Sequence, residues 1–147
     1  MIIAHSDWIM DVAVAKDVLV SAGADRSISL RSALDGSLIA NLRTQDGRVL
    51  SVDVSPDGQM LVTGSEDRMV RLWSVASHEE LARLDGHAAA VRTVRFAPDG
   101  RFVASSSNNG TIHLWSFAAL RIEGSELLRR AELSGVRLSG TQLTPIR

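Results

Sequence analysis

Histidine, serine and aspartate, the side chains of a hydrolase triad, all occur in this 147-residue chain. Their spacing argues against catalysis. A hydroxyl residue recurs every 42 positions, and so does an aspartate or asparagine, at Ser21, Thr63 and Ser105 and at Asp25, Asp67 and Asn109. A residue type that occurs at the same position of every repeat indicates a structural role rather than a catalytic one. No nucleophile-elbow sequence occurs in the chain. We therefore expect no catalytic residues.

Two other kinds of site lack the sequence pattern that they need. His78 and His113 have no histidine or carboxylate at a spacing that would converge with them on a metal ion. The glycines punctuate turns, and the phosphate-binding pattern GxxxxGK does not occur. We expect neither a metal nor a cofactor.

The same interval of 42 residues relates whole phrases of the sequence. RSISLRS at 26–32, RMVRLWS at 68–74 and GTIHLWS at 110–116 are equivalent. A period of about 40 to 45 residues is typical of a four-stranded propeller blade. The chain is therefore predicted to be a repeat array.

The second repeat shows the strand pattern of one unit most clearly. Apolar positions within 49–54 predict a first strand, and the Ser-Pro-Asp-Gly sequence at 55–58 predicts a tight turn. Further strands are predicted at 60–65, at 69–74 and, from its leucines, at 81–84. No helical pattern of ten residues separates them, which excludes parallel βαβ units. The fixed period favours a propeller over a sandwich.

Several short motifs resemble those of the WD-repeat β-propeller family. Gly86-His87 begins a unit, Leu72-Trp73 and Leu114-Trp115 close third strands, and Pro-Asp-Gly turns occur at 55–58 and 97–100. The resemblance covers residues 5 to about 123. It implies an all-β fold, a partial β-propeller of three four-stranded antiparallel blades at about 5–43, 44–85 and 86–123, within a domain at 1–123.

The resemblance also implies a buried hydrogen-bond chain of His, Ser or Thr, Asp and Trp in each blade. Gln45, Arg31 and Asn109 depart from that pattern, one in each unit. Because an unpaired buried polar group costs about 1 to 3 kcal/mol, we expect the third blade to be the most secure and the first the least. The residues assigned to these chains are His5, Ser21, Asp25, Thr63, Asp67, Trp73, His87, Ser105, Asn109 and Trp115.

Partners of this family commonly dock on the loops that lead into the first strand and that join the second to the third. The resemblance therefore implies a non-catalytic protein–protein interaction scaffold with an unidentified protein partner. Two alternatives are a C-terminal sensor segment of a larger signalling ATPase or kinase, and a small-molecule-binding or hydrolytic propeller. The candidate partner contacts are Trp8, Arg26, Arg48, Glu66, Arg68 and Asn108, with Ala89 beside them.

Three blades are too few to close a ring, since propellers have about four to eight. A blade face of four five-residue strands measures about 300 Å². At about 25 cal/mol per Å², leaving it uncovered forgoes up to about 8 kcal/mol. We expect the end faces to be covered by a second copy, as a six-bladed homodimer, or by missing blades of a longer chain; an open monomer is the third alternative. Residues 1–4 read as the end of a preceding outer strand.

The tail at 124–147 fits no fourth blade. Residues 121–123 can supply an outer strand for the third blade, and 125–130 a short helix with Ser125 as its cap. Leucine then recurs every five residues, as in pentapeptide repeats. The alternative is a flexible tail.

The overall composition sets the remaining expectations. The formal net charge is −1, so the basic excess of a nucleic-acid surface is missing. Cysteine is absent, which fits a reducing compartment. No apolar run approaches the roughly 20 residues of a spanning helix. We expect a cytoplasmic protein without nucleic-acid or membrane partners.

Overall fold

A computed structural model describes residues 1–44 and 46–116, and every regular element among them is a β-strand. The expectations for Gln45, for an outer strand at 121–123 and for the tail lie outside these residues. The strands are β1 Ile9–Ala15, β2 Val18–Gly23, β3 Ser27–Ser32, β4 Leu38–Arg43, β5 Val49–Val54, β6 Met60–Ser65, β7 Val70–Ser74, β8 Glu80–Leu84, β9 Val91–Phe96, β10 Phe102–Ser107 and β11 Ile112–Ser116.

These strands form three antiparallel sheets in simple up-and-down order. The orders are β1-β2-β3-β4, β5-β6-β7-β8 and, among the described strands, β9-β10-β11. We call the sheets blades one, two and three. The predicted all-β partial propeller is confirmed, and its repeat extends to irregularities, since the first strand of each blade has a register shift near its start.

The turn between the first and second strands has a different length in blades one and two. In blade two the Ser55 amide donates to the Met60 carbonyl at 2.9 Å, and Gly58 has φ 74°, which suits the Pro-Asp-Gly turn. Blade one makes the same connection with two residues fewer. There Ala15 pairs with Val18, and Lys16 takes φ 54°. The shorter turn leaves the strand register of the blade unchanged.

The core lies between blades rather than within them. One apolar cluster joins blade one to blade two, and its best-buried members include Val20, Leu30 and Val52, each 0% exposed. A second cluster joins blade two to blade three through residues such as Val62 and Trp115. Each blade therefore depends on its neighbour for burial.

The N-terminal residues do not continue a strand ladder. Residues 1–4 form no strand, in contrast to the expected end of an outer strand. The Ile2 side chain instead lies over Gly36, whose φ of 76° favours glycine.

A glycine of blade two that packs against blade three gives a direct test of this packing. A Cβ added at Gly64 on β6 would lie 2.6 Å from Val91 Cγ1 of blade three. We expect Gly64→Ala to destabilise the protein by about 1 to 3 kcal/mol through overpacking, measured by urea unfolding. Ser106→Ala is the matched control, because Ser106 holds the same position in blade three and is only half-buried. Equal effects of the two changes would contradict the stacking of blades two and three.

Candidate interaction site and its supporting hydrogen bonds

Blade three contains a continuous hydrogen-bond chain that crosses its strands. The Trp115 indole donates to Ser105 Oγ at 2.8 Å, and Ser105 Oγ lies 2.7 Å from His87 Nε2. His87 Nδ1 lies 3.4 Å from Thr111 Oγ1, which donates to Asn109 Oδ1 at 2.7 Å. The indole can only donate, so Ser105 Oγ accepts from Trp115, and its own hydrogen stays available for His87 Nε2. Asn109 thus joins the chain through Thr111.

A second imidazole packs against this chain. The His113 ring centroid lies 4.2 Å from that of His87 and 5.3 Å from that of Trp115. Burial, and secondarily the proximity of His113, lowers the pKa of His87. The surroundings of His87 therefore favour the neutral form of its ring.

Blade one achieves a direct histidine–aspartate contact. His5 Nδ1 lies 3.0 Å from Asp25 Oδ1 and 2.9 Å from Ser27 Oγ, while Nε2 lies 2.7 Å from Ser21 Oγ. Burial alone would raise the pKa of Asp25, but hydrogen bonds from Ser27, the Ser6 amide and His5 outweigh it and hold the pKa well below its usual range. The turn between β2 and β3 is thereby tied to the segment that precedes β1.

Arg31 replaces the tryptophan that the other two blades have at the end of this chain. Its Nη1 donates to the Gly36 carbonyl at 2.9 Å. The guanidinium therefore braces the loop between β3 and β4, whereas an indole at this position reaches back to the hydroxyl on the second strand.

In blade two, Arg71 on β7 takes the place of the histidine that precedes the first strand in the other blades. The Trp73 indole donates to Thr63 Oγ1 at 3.0 Å. Arg71, only 2% exposed, donates to Asp67 and lies 3.4 Å from Asp46 Oδ2. Burial alone would raise the pKa of Asp67, but hydrogen bonds from Arg71 and from the Met69 amide outweigh it and lower the pKa.

Sequence reasoning missed Arg71, and it was wrong that no histidine converges with His113, because the His87 ring packs against it. A signal for both residues was present. The two residues share one repeat position with Ser29. The arginine occurs in the repeat that has Gln45 where the others have histidine. A comparison of the repeats at both positions together could have found this exchange.

A second set of polar contacts, also missed, joins the first strands of neighbouring blades. Asp11 Oδ2 accepts hydrogen bonds from Ser51 Oγ at 2.7 Å and from the Val52 amide at 3.1 Å. Ser51 Oγ in turn accepts from the Val94 amide at 3.2 Å. Arg95 Nη1 donates to Asp11 Oδ2 and to Ser51 Oγ, both at 3.1 Å, so one cluster connects all three blades.

Asp53, two residues after Ser51 on β5, also joins neighbouring blades. Its Oδ1 accepts from the Val54 amide at 2.9 Å, and its Oδ2 accepts from the Phe96 amide of blade three at 2.7 Å. Backbone amides at the free edge of one blade are thus paired with side-chain acceptors, some of which belong to the preceding blade.

The predicted partner contacts lie on loops at one end of the blades. There the carbonyls of Trp8, Arg48 and Ala90 accept hydrogen bonds from amides of the three turns between second and third strands, at 2.8, 3.1 and 3.0 Å. We call this end the rim. Its candidate contacts are all exposed: Trp8, Arg26, Arg48, Glu66, Arg68 and Asn108.

The rim side chains differ in how strongly they are held. Trp8 is 79% exposed, whereas Ala89 is half-buried. Arg48 and Glu66 lie 3.9 Å apart as an exposed ion pair. Arg26 and Arg68 have φ 66° and 74°, and neither takes part in an ion pair with the residues that the structure describes. The rim therefore exposes an aromatic ring and arginines on a backbone that hydrogen bonds hold in place.

The described segments offer no assembled metal site and no membrane span. Within 1–44 and 46–116, no three His, Asp or Glu side chains are grouped so that they could hold a metal ion. The same residues contain no helix with the length and apolar character needed to cross a bilayer.

Four-stranded antiparallel sheets that repeat every 42 residues and pack face to face are blades of a β-propeller. The family model for the WD domain, G-beta repeat, matches residues 36–74 and 78–116, together more than half of the chain. The chain belongs to this family. No curated protein matches it.

Trp115 and Arg31 occupy equivalent positions in blades three and one, so replacing each tests how much it contributes to the free energy of unfolding. Trp115 is 1% exposed and packs between blades two and three. We expect Trp115→Ala to cost about 3 to 5 kcal/mol. Arg31→Ala, which removes one hydrogen bond from a half-buried residue, should cost about 1 to 2 kcal/mol. Urea unfolding of both variants decides this, and equal losses would contradict the assignment of the blades.

The lowered pKa of His87 predicts a pH-dependent stability. The unfolded side chain titrates near pH 6.5, so it takes up a proton before the folded one does. Stability should be constant above that pH and should fall as the pH drops through it toward the lower native pKa. Urea midpoints on either side of pH 6.5 measure this loss.

Matched variants assign that loss to one residue. His87→Gln should reduce the pH dependence, whereas His78→Gln, in an exposed loop, should leave it intact. An unchanged pH dependence in His87→Gln would show that another group is responsible.

Proposed function

We propose that this protein is a non-catalytic scaffold that binds a protein partner through the rim. WD repeats support a protein-interaction role in general terms. The observation that carries the proposal is the 79% exposed Trp8 beside exposed arginines. Tryptophan and arginine are the usual anchors of protein interfaces. The carbonyl of Trp8 is held by the Ala24 amide at 2.8 Å, so the ring is presented from a fixed backbone position.

The fate of the potentially catalytic side chains supports the non-catalytic part of the proposal. Both ring nitrogens of His5 are engaged within the blade, and its side chain is fully buried. Ser105 accepts from Trp115 while it contacts His87. These groups connect strands, which leaves them unavailable to a substrate. A cytoplasmic location is part of the proposal and is supported by the absence of cysteine.

Affinity capture with rim variants tests this function. We expect Trp8→Ala and Arg68→Ala to lose the same captured proteins, compared by quantitative mass spectrometry with the wild type. Leu34→Ala is the matched control, since Leu34 is 80% exposed but lies between β3 and β4, at the opposite end of the blade. Circular dichroism verifies the fold of each variant. Capture that Leu34→Ala reduces as much as Trp8→Ala does would refute the rim as the contact surface.

A further inference from the structure

Two arginines of the rim occupy the same turn position in neighbouring blades. Arg26 lies in the turn between β2 and β3, and Arg68 lies in the turn between β6 and β7, 42 residues later. Their φ angles are 66° and 74°, and the equivalent residue of blade three is Gly110, with φ 80°. Glycine adopts this left-handed conformation without strain, whereas a residue with a side chain does not. Both arginines therefore stand where the backbone favours glycine.

The backbone of each arginine is held in place while its charge is left uncompensated. The amides of Arg26 and Arg68 donate to the carbonyls of Gly23 and Ser65, at 3.2 Å in both turns. Both side chains are exposed. Among residues 1–44 and 46–116, neither guanidinium takes part in an ion pair. The turns thus present two cations to solvent from fixed positions.

The carboxylates that precede these arginines in the sequence are directed into the blades. Asp25, whose side chain is 14% exposed, accepts hydrogen bonds from Ser27 and contacts His5. Asp67, whose side chain is 12% exposed, accepts from Arg71. Neither aspartate is therefore placed to neutralise the arginine that follows it.

The other acidic side chains near the rim have contacts or positions of their own. Glu66 lies 3.9 Å from Arg48, and Asp46 lies 3.4 Å from the buried Arg71. Asp7 Oδ1 accepts from the Trp8 amide, and Asp85 lies in the loop that leads into blade three. The two free guanidinium groups therefore form the cationic part of the rim on blades one and two.

The stacking of the two blades sets the spacing of these cations. Packed sheets lie about 10 Å apart, which is the length of about three residues of an extended chain. Two carboxylates on one peptide can thus reach both arginines at once, and the planar guanidinium matches a carboxylate with two parallel hydrogen bonds. Once the first pair has formed, the second pair forms within the same complex, which raises the affinity.

We infer that Arg26 and Arg68 form a two-point binding site for an extended acidic segment of a protein partner, in which two carboxylates pair with the two guanidinium groups. This inference rests on the proposed function, because it names the chemistry of the partner that the rim binds. The arginines then lower the stability of the free protein through their φ angles and contribute affinity in the complex.

A hexaglutamate peptide is the probe for this site. We expect NMR titration of the full chain to shift the amides of both turns, with a dissociation constant that rises with salt because the pairs are exposed. Arg26→Gln and Arg68→Gln should each raise that constant about threefold, and the double variant about tenfold. Arg101→Gln is the matched control, since Arg101 is also exposed but precedes β10 at the opposite end of blade three.

Replacement by glycine separates binding from folding. Arg26→Gly and Arg68→Gly should weaken hexaglutamate binding as the glutamine variants do, while the urea midpoint stays the same or rises, because glycine suits the positive φ of both turns. A lower midpoint in both glycine variants would show that the arginines serve to stabilise their turns, which would overturn the inference.

The remaining outcomes also decide. If Arg101→Gln weakens binding as much as Arg68→Gln does, the attraction is non-specific and the inference is wrong. Tighter binding of a single-stranded oligonucleotide of equal charge would assign the two arginines to phosphates instead. If Trp8→Ala loses captured proteins while the glutamine variants bind hexaglutamate as the wild type does, the rim function stands and the acidic partner is wrong. Loss of hexaglutamate binding in the glutamine variants, with capture unchanged in Trp8→Ala and Arg68→Ala, would refute the proposed function alone.

Discussion

The structure depends on one constraint: an apolar blade face is stable only when the next blade covers it. Val52 and Val94 are 0% exposed where a blade precedes them, whereas the equivalent Val12 is 59% exposed. Apolar burial contributes about 25 cal/mol per Å², and a blade has too little interior of its own to supply it. The contacts between blades therefore stabilise the fold more than the contacts within one blade do.

Within each blade, a polar connection fixes the turn between the second and third strands to its surroundings. This turn requires a hydrogen-bond donor that can reach it, and a different set of side chains provides the donor in each blade. Histidine, arginine and a histidine–threonine relay perform the same task, and these sets are His5 with Asp25, Arg71 with Asp67, and His87 with Thr111 and Asn109.

The sequence predicted local features well and contacts between blades poorly. The second strand of blade two lies at Met60–Ser65, as its pattern indicates, while β7 begins one residue later than predicted, beyond Met69, whose amide donates to Asp67. Periodicity and turn chemistry decide such features locally. The cluster of Asp11, Ser51 and Arg95 joins residues up to 84 positions apart. Its geometry depends on how blades stack, which no local pattern encodes.

The two kinds of surface arise from different parts of the blade, and this separation gives the fold its capacity as a scaffold. Rim side chains such as Trp8 project from turns that backbone hydrogen bonds hold, so they can vary without loss of burial. The sheet faces consist of the strands themselves, where each side chain must suit the neighbouring sheet. The loops of a blade can therefore vary in sequence independently of the faces that contact its neighbours.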